Sequence, residues 1–240
     1  MPIKTDEHGL PLDARAPLGL APQNFLFEDL DDDTRPIVQP LVAAYETAVL
    51  TVGKAFDVRD AALANPALND SAKVLVVEQY NQKQLPVVLK LMQNAHDVLQ
   101  KQIAHLEGEM TAPLESTATS SIAREIRDHV KGKKPAEVRK ILLHAIEHQD
   151  RETVGALLGV KQGYLVGLSD IEVQEMTRRW REKTTPKSAK RLAIAQRAFD
   201  LHGQRANLIH GALAKARGAD ANTARNVTAA AARMEKALAR

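Results

Sequence analysis

Cysteine is absent from the 240-residue chain. That excludes a disulfide scaffold, any Cys-ligated zinc or iron–sulfur site, and thiol catalysis. Aromatic residues are scarce: one Trp, three Tyr and four Phe make up 3% of the chain. β-Sandwiches and barrels lean on aromatic and β-branched strands, so this scarcity argues against both. Long hydrophobic runs are missing too. The best stretch, residues 41–52, contains Glu46 and falls short of the roughly 20 residues of a membrane span. The first twenty residues show no basic start followed by an apolar run, so no secretory signal is expected. Nucleophile-elbow, P-loop and dinucleotide glycine patterns do not occur.

What is present points to a packed helical protein. Hydrophobic residues are 44% and charged residues 26%, a globular balance. The net charge of +3 conceals a gradient: the first sixty residues carry 5 basic and 11 acidic side chains, the last sixty 13 and 4. Three readings fit. The charges can be solvated faces, the basic end can meet nucleic acid, or acidic and basic ends can meet on neighbouring copies.

Residues 1–33 read as an extended acidic arm, broken by Pro and Gly, with Phe25, Phe27 and Leu30 as a short apolar cluster able to dock on a partner. Asp31, Asp32 and Asp33 before Thr34 and Pro36 suit a helix N-terminus. Residues 34–110 read as a long α-hairpin. Its first helix, from about Pro36 to Leu63, carries a seam of Val38, Val42, Tyr45, Val49, Val52 and Phe56. Asn65-Pro66 ends it, and Asp70 or Ser71 caps the second helix, which Pro86 should kink. The second seam is Val88, Met92, Ala95, Leu99, Ile103, Leu106 and Met110. Spacing of this kind suits an antiparallel hairpin and equally suits packing against other copies.

Residues 111–121, TAPLESTATSS, read as a small-polar linker. Residues 122–184 read as a small helical region. Its helices run from about Ile122 to Val130, from Pro135, and from Asp150 to Gly159, and Tyr164, Leu165, Val166 and Leu168 plug its core. Ser169-Asp170-Ile171-Glu172 is a capping box opening a helix that bears Ile171, Val173, Met176 and Trp180. Residues 185–240 read as basic C-terminal helices: a long one from Pro186 to about Arg217, with His202 on its packed seam, then an Ala-rich one. No strand pattern is evident. The fold class is all-α.

Two constellations bear on chemistry. His144-Ala145-Ile146-Glu147-His148 matches H-x-x-E-H, which sets both imidazoles on one helix face with Glu147 able to activate a zinc-bound water. Glu172 or Glu175 would have to complete the set. A solvated polar face opposite Ile141, Leu142 and Ala145 accounts for the same residues, so no metal, cofactor or catalytic residue is expected. Arg181, Lys183, Lys187, Lys190, Arg191, Arg197 and Arg205 form a possible phosphate-binding stripe, with Lys187, Lys190, Arg191 and Arg197 as its centre. Asp170 and Glu172 at the start of a helix, after a connector of about nine residues, oppose a helix-turn-helix reading.

Residues 123–215 resemble uncharacterised helical proteins encoded in the structural gene regions of tailed bacteriophages. The resemblance rests on AREIRDHVKGKKPAEVRKILLHAI, EHQDRETVGALLG, a short apolar loop, and LSDIEVQEMTRRW before a long helix. It implies a non-enzymatic virion or assembly component that packs with itself or other virion proteins, made in the host cytoplasm, with no membrane partner. Non-specific DNA contact through the basic quarter is the second reading, and a zinc hydrolase the remote third.

Overall fold

The computed structural model describes residues 4–159 and 166–239. It is all-α apart from a two-stranded antiparallel ladder, β1 (Lys4–Thr5) with β2 (Pro11–Leu12). The helices are α1 (Arg35–Ala64), α2 (Asp70–Ala118), α3 (Ser121–Val130), α4 (Pro135–Glu147), α5 (Arg151–Leu158), α6 (Asp170–Thr184), α7 (Pro186–Arg205), α8 (Leu208–Arg217) and α9 (Ala221–Leu238). Among the described residues no helix is long and apolar enough to cross a membrane. The chain divides into two compact units, Met1–Leu99 with Arg197–Arg240, and Gln100–Gln196. Each boundary falls inside a continuous helix, α2 or α7, and not at the small-polar segment expected to be a linker.

In the first unit, every residue of the expected α1 seam is buried, from Val38 through Tyr45 to Phe56. Asn65 leaves the helical region before Pro66 and ends α1, as the Pro ring requires. The next cap is Asn69, whose Oδ1 accepts the Ala72 N–H at 2.8 Å, in place of the expected Asp70 or Ser71. The Tyr80 hydroxyl donates to the Thr51 carbonyl at 3.4 Å, tying α2 back to α1. Pro86 lies within α2 without ending it. The helix expected to run unbroken to Arg217 is interrupted at residues 206–207 and resumes as α8. α8 lies against α1 and is fastened to α2 by the buried Asn81 amide, which donates to the Leu213 carbonyl at 3.0 Å. Gly218, at φ +73°, stops α8 in the left-handed conformation open to glycine.

The arm is extended, but it is not free. Asp6 accepts the N–H groups of His8 and Leu10 across the β1–β2 turn, and two 3₁₀ turns, Leu18–Leu20 and Pro22–Phe25, follow. Leu20 and Phe25 are fully buried. Arg15 pins the arm to α1 by bridging Asp13 at 2.7 Å and Asp57 at 2.8 Å. Of the three expected capping carboxylates, Asp31 closes a turn, accepting from the Thr34 N–H at 2.9 Å and the Thr34 hydroxyl at 2.7 Å.

In the second unit, α2 continues through residues 111–118, so the expected linker is a helix. The reason is packing: Leu114 and Ala118, one turn apart, are buried, and Leu114 joins a core with Val138, Leu142, Val154, Leu157 and Trp180. Buried contacts of this kind outweigh the weak helix propensity of Thr, Ser and Pro. Val166 and Leu168 belong to the same core, whereas Tyr164 and Leu165 lie outside the described residues. Met176 and Trp180 of α6 are buried, while Ile171 on its first turn is exposed. The Ser169–Glu172 capping box is formed in both directions, at 3.3 and 3.0 Å. Asp150 caps α5, accepting the Thr153 N–H at 3.1 Å.

α5 approaches α2 closely because Gly155 has no side chain. A Cβ there would stand 2.5 Å from the Thr117 Cβ. Gly155→Val should therefore lower the unfolding free energy by about 1–3 kcal/mol in urea titrations. Gly108→Ala, on α2 with open space around it, should raise it by about 0.5–1 kcal/mol.

Candidate interaction surfaces

The largest fully buried side chain is Tyr45. It lies on α1, and Phe25 from the arm packs edge-on against it, ring centroids 4.7 Å apart. The Tyr45 hydroxyl pairs with His202 Nδ1 of α7 at 3.2 Å. His96 of α2 completes the cluster, 5.6 Å from His202 and 4.5 Å from Phe199 between ring centroids. Burial pushes the His202 pKa below its usual 6.5, and nearby His96 adds to the effect. Burial likewise drives the Tyr45 hydroxyl upward, against a smaller pull from Arg205. Both groups are held neutral, as a hydrogen-bonded pair inside a core requires. His202 is thus the packing histidine its seam position implies.

Phe25, expected to dock on a partner, is used up in this core. Phe27 is half-buried beneath the Arg197 guanidinium, 3.6 Å from the ring centroid, and Leu30 is half-buried as well. Arg197 also binds Asp29 at 2.9 Å. Acidic arm and basic quarter therefore meet within one chain at this point. Arg197, expected at the centre of a phosphate-binding stripe, spends its charge on Asp29 and Phe27.

The other basic residues of that stripe have separate surroundings. In the second unit Lys183 pairs with Glu147 at 3.3 Å. Arg181 is half-buried, donates to Thr111 Oγ1 at 2.9 Å, and has its pKa lowered by burial. Lys187 and Arg191 of α7 are exposed, and Lys190 is half-buried. A cleft of about 530 Å³ lies between α6, α7 and the end of α2, lined by Glu107, Val173, Thr177, Arg181, Leu192 and Gln196. Two of its polar groups satisfy each other, Gln196 donating to Glu107 at 3.0 Å.

His144 and His148 do meet, with rings stacked at 4.1 Å. However, α4 ends at Glu147, and His148 Nδ1 lies 2.9 Å from the His144 carbonyl, turned onto the helix end. Glu172 is held by Arg139 and by its own cap, and Glu175 by Arg178 and Arg179 at 2.9 and 2.8 Å. Neither carboxylate reaches a shared site with the two imidazoles. Among the described residues no cluster of three metal-ligating side chains forms.

A different surface escaped the sequence reading. Along α2, Val76, Val87, Leu91 and Val98 are 37%, 51%, 39% and 49% exposed. Their neighbours Val77, Val88, Met92 and Leu99 are buried. α2 thus carries two aliphatic seams displaced by one residue, one inside and one open. The signal was in the doublets Val76-Val77, Val87-Val88, Leu91-Met92 and Val98-Leu99, which serve a single buried face twice over.

The histidine cluster makes stability depend on pH. The unfolded chain takes up a proton near pH 6.5, whereas folded His202 resists it. The stabilisation is complete above that value and is lost progressively as pH falls toward the folded pKa. Unfolding free energy measured by denaturant between about pH 7.5 and 5.5 should fall with pH, and His202→Gln should flatten that slope. No protein-family model, curated protein or solved structure matches the chain.

Proposed function

We propose that the chain is a non-enzymatic structural or assembly component of a phage particle, acting by helix packing against other protein. The observation that carries this reading is the open aliphatic row of α2. It runs along the helix beside the buried seam of Val77, Val88, Met92 and Leu99, with its own side chains more than a third exposed. Surface of that composition gains most by being covered, at roughly 25 cal/mol per Å² of apolar area. The likeness of residues 123–215 to helical proteins from phage structural gene regions supplies the setting. Purified particles or assembly intermediates should contain the chain at a fixed ratio to the other particle proteins. Leu91→Glu should lower that ratio about tenfold or more. A chain left wholly outside particles and intermediates that form normally without it would overturn the proposal.

A second reading, non-specific nucleic-acid contact, is favoured by the exposure of Lys187 and Arg191 on α7. Its footprint is smaller than the sequence suggests, because Arg197 is already paired. If it holds, anisotropy titration with a DNA duplex should show affinity falling steeply with salt, and Lys187→Ala with Arg191→Ala should reduce the salt slope by about 2. An unchanged slope would remove this reading.

A further inference from the structure

The open seam of α2 has a composition that says what covers it. At 100° per residue, Val76, Tyr80, Val87, Leu91, Asn94 and Val98 fall within about 60° of one another, with Gln84 at the margin. From Tyr80 to Val98 the spacing is 4, 3, 4, 3, 4, the rhythm of a coiled-coil seam. Lys83, Lys90 and Asp97 border it on one side. On the other side stand Asn81, Val88 and Ala95, which are inside the chain's own core.

We propose that this seam is a self-association surface on which α2 of a second copy of this chain packs antiparallel, about a two-fold axis between Val87 and Leu91. This rests on reading the α2 face as an assembly surface. The argument is self-complementarity. In that register Val87 meets Leu91 of the second copy, and the half-buried Tyr80 ring, whose hydroxyl stays on the Thr51 carbonyl of α1, lies level with its Val98. Gln84 meets its Asn94, so the two polar seam residues face each other, while Val76 at the end of the seam lies level with its Gln102. Lys83 lies beside Asp97 of the other copy and the two-fold repeats the pair, while Lys90 meets Lys90 of the other copy at the axis, so two opposite-charge pairs flank one like-charge pair. A parallel pairing instead sets the Lys83–Asp97 border of each copy against the border already buried in its mate's core, where no partner for either charge stands. Polar residues within a seam are also what fixes register and excludes alternatives.

The isolated full-length protein tests this. Sedimentation equilibrium should give a dimer, and Leu91→Glu should weaken it about a hundredfold while leaving far-UV circular dichroism and Tm unchanged. Lys83→Asp or Asp97→Lys alone should weaken dimerisation about fivefold, and the two together should restore it. The absence of native cysteine allows clean spin labelling. Labels on Val76→Cys should be about 40 Å apart along the axis in an antiparallel pair, and labels on Leu91→Cys within about 15 Å. A monomer at concentrations of tens of micromolar, close Val76→Cys labels, or a double charge reversal that fails to restore pairing would each overturn the proposal. A monomer that still enters particles would overturn self-pairing alone. A dimer absent from particles would leave self-pairing intact and remove the assembly role.

Discussion

The hydroxyl–imidazole contact between Tyr45 and His202 is where the first unit is tied together. Their residues are 157 positions apart, and two further segments converge on the same point, Phe25 from the arm and His96 from α2. In a chain with so few aromatics, four ring-bearing residues at one place are a large part of what is available to specify a core. Aliphatic seams are tolerant of sliding, because one Val or Leu resembles the next. A buried polar pair is not tolerant, since either group left alone would carry a desolvation penalty of about 1–3 kcal/mol. The pair therefore sets which turn of α7 faces which turn of α1, and Asn81 does the same for α8 through the Leu213 carbonyl.

Charge is arranged on a similar logic. Read along the chain, the acidic beginning and basic end look like two surfaces waiting for partners. In the folded chain part of that asymmetry is closed internally, where Arg197 joins Asp29 and where Arg217 joins Glu78 at 3.2 Å in a largely shielded position. Arg15 is similarly committed to Asp13 and Asp57, which hold its pKa above the usual value.

α2 shows how one helix can serve two purposes. Its apolar residues come in adjacent pairs, and an α-helix turns adjacent residues about 100° apart. One member of each pair enters the core, and the other stands at its edge. A single amphipathic face needs only one member.

Much of the architecture was legible in the residues. The α1 seam, the stop at Asn65-Pro66, the Ser169–Glu172 and Asp150 caps, the Gly218 stop and the buried His202 all follow from short-range rules, because helix periodicity and capping act over a few residues. The misreadings share a physical cause. Residues 111–118 look like a linker by composition and are helical because Leu114 and Ala118 find a core. Phe25 looks like a docking residue and is internal because Tyr45 lies opposite. Sequence by itself determined that this chain is a set of capped aliphatic helices with no thiol or glycine-loop chemistry. Only tertiary structure decided which of two adjacent seams on α2 is core and which is surface, because both obey the same 3.6-residue period and only the position of the neighbouring helices distinguishes them.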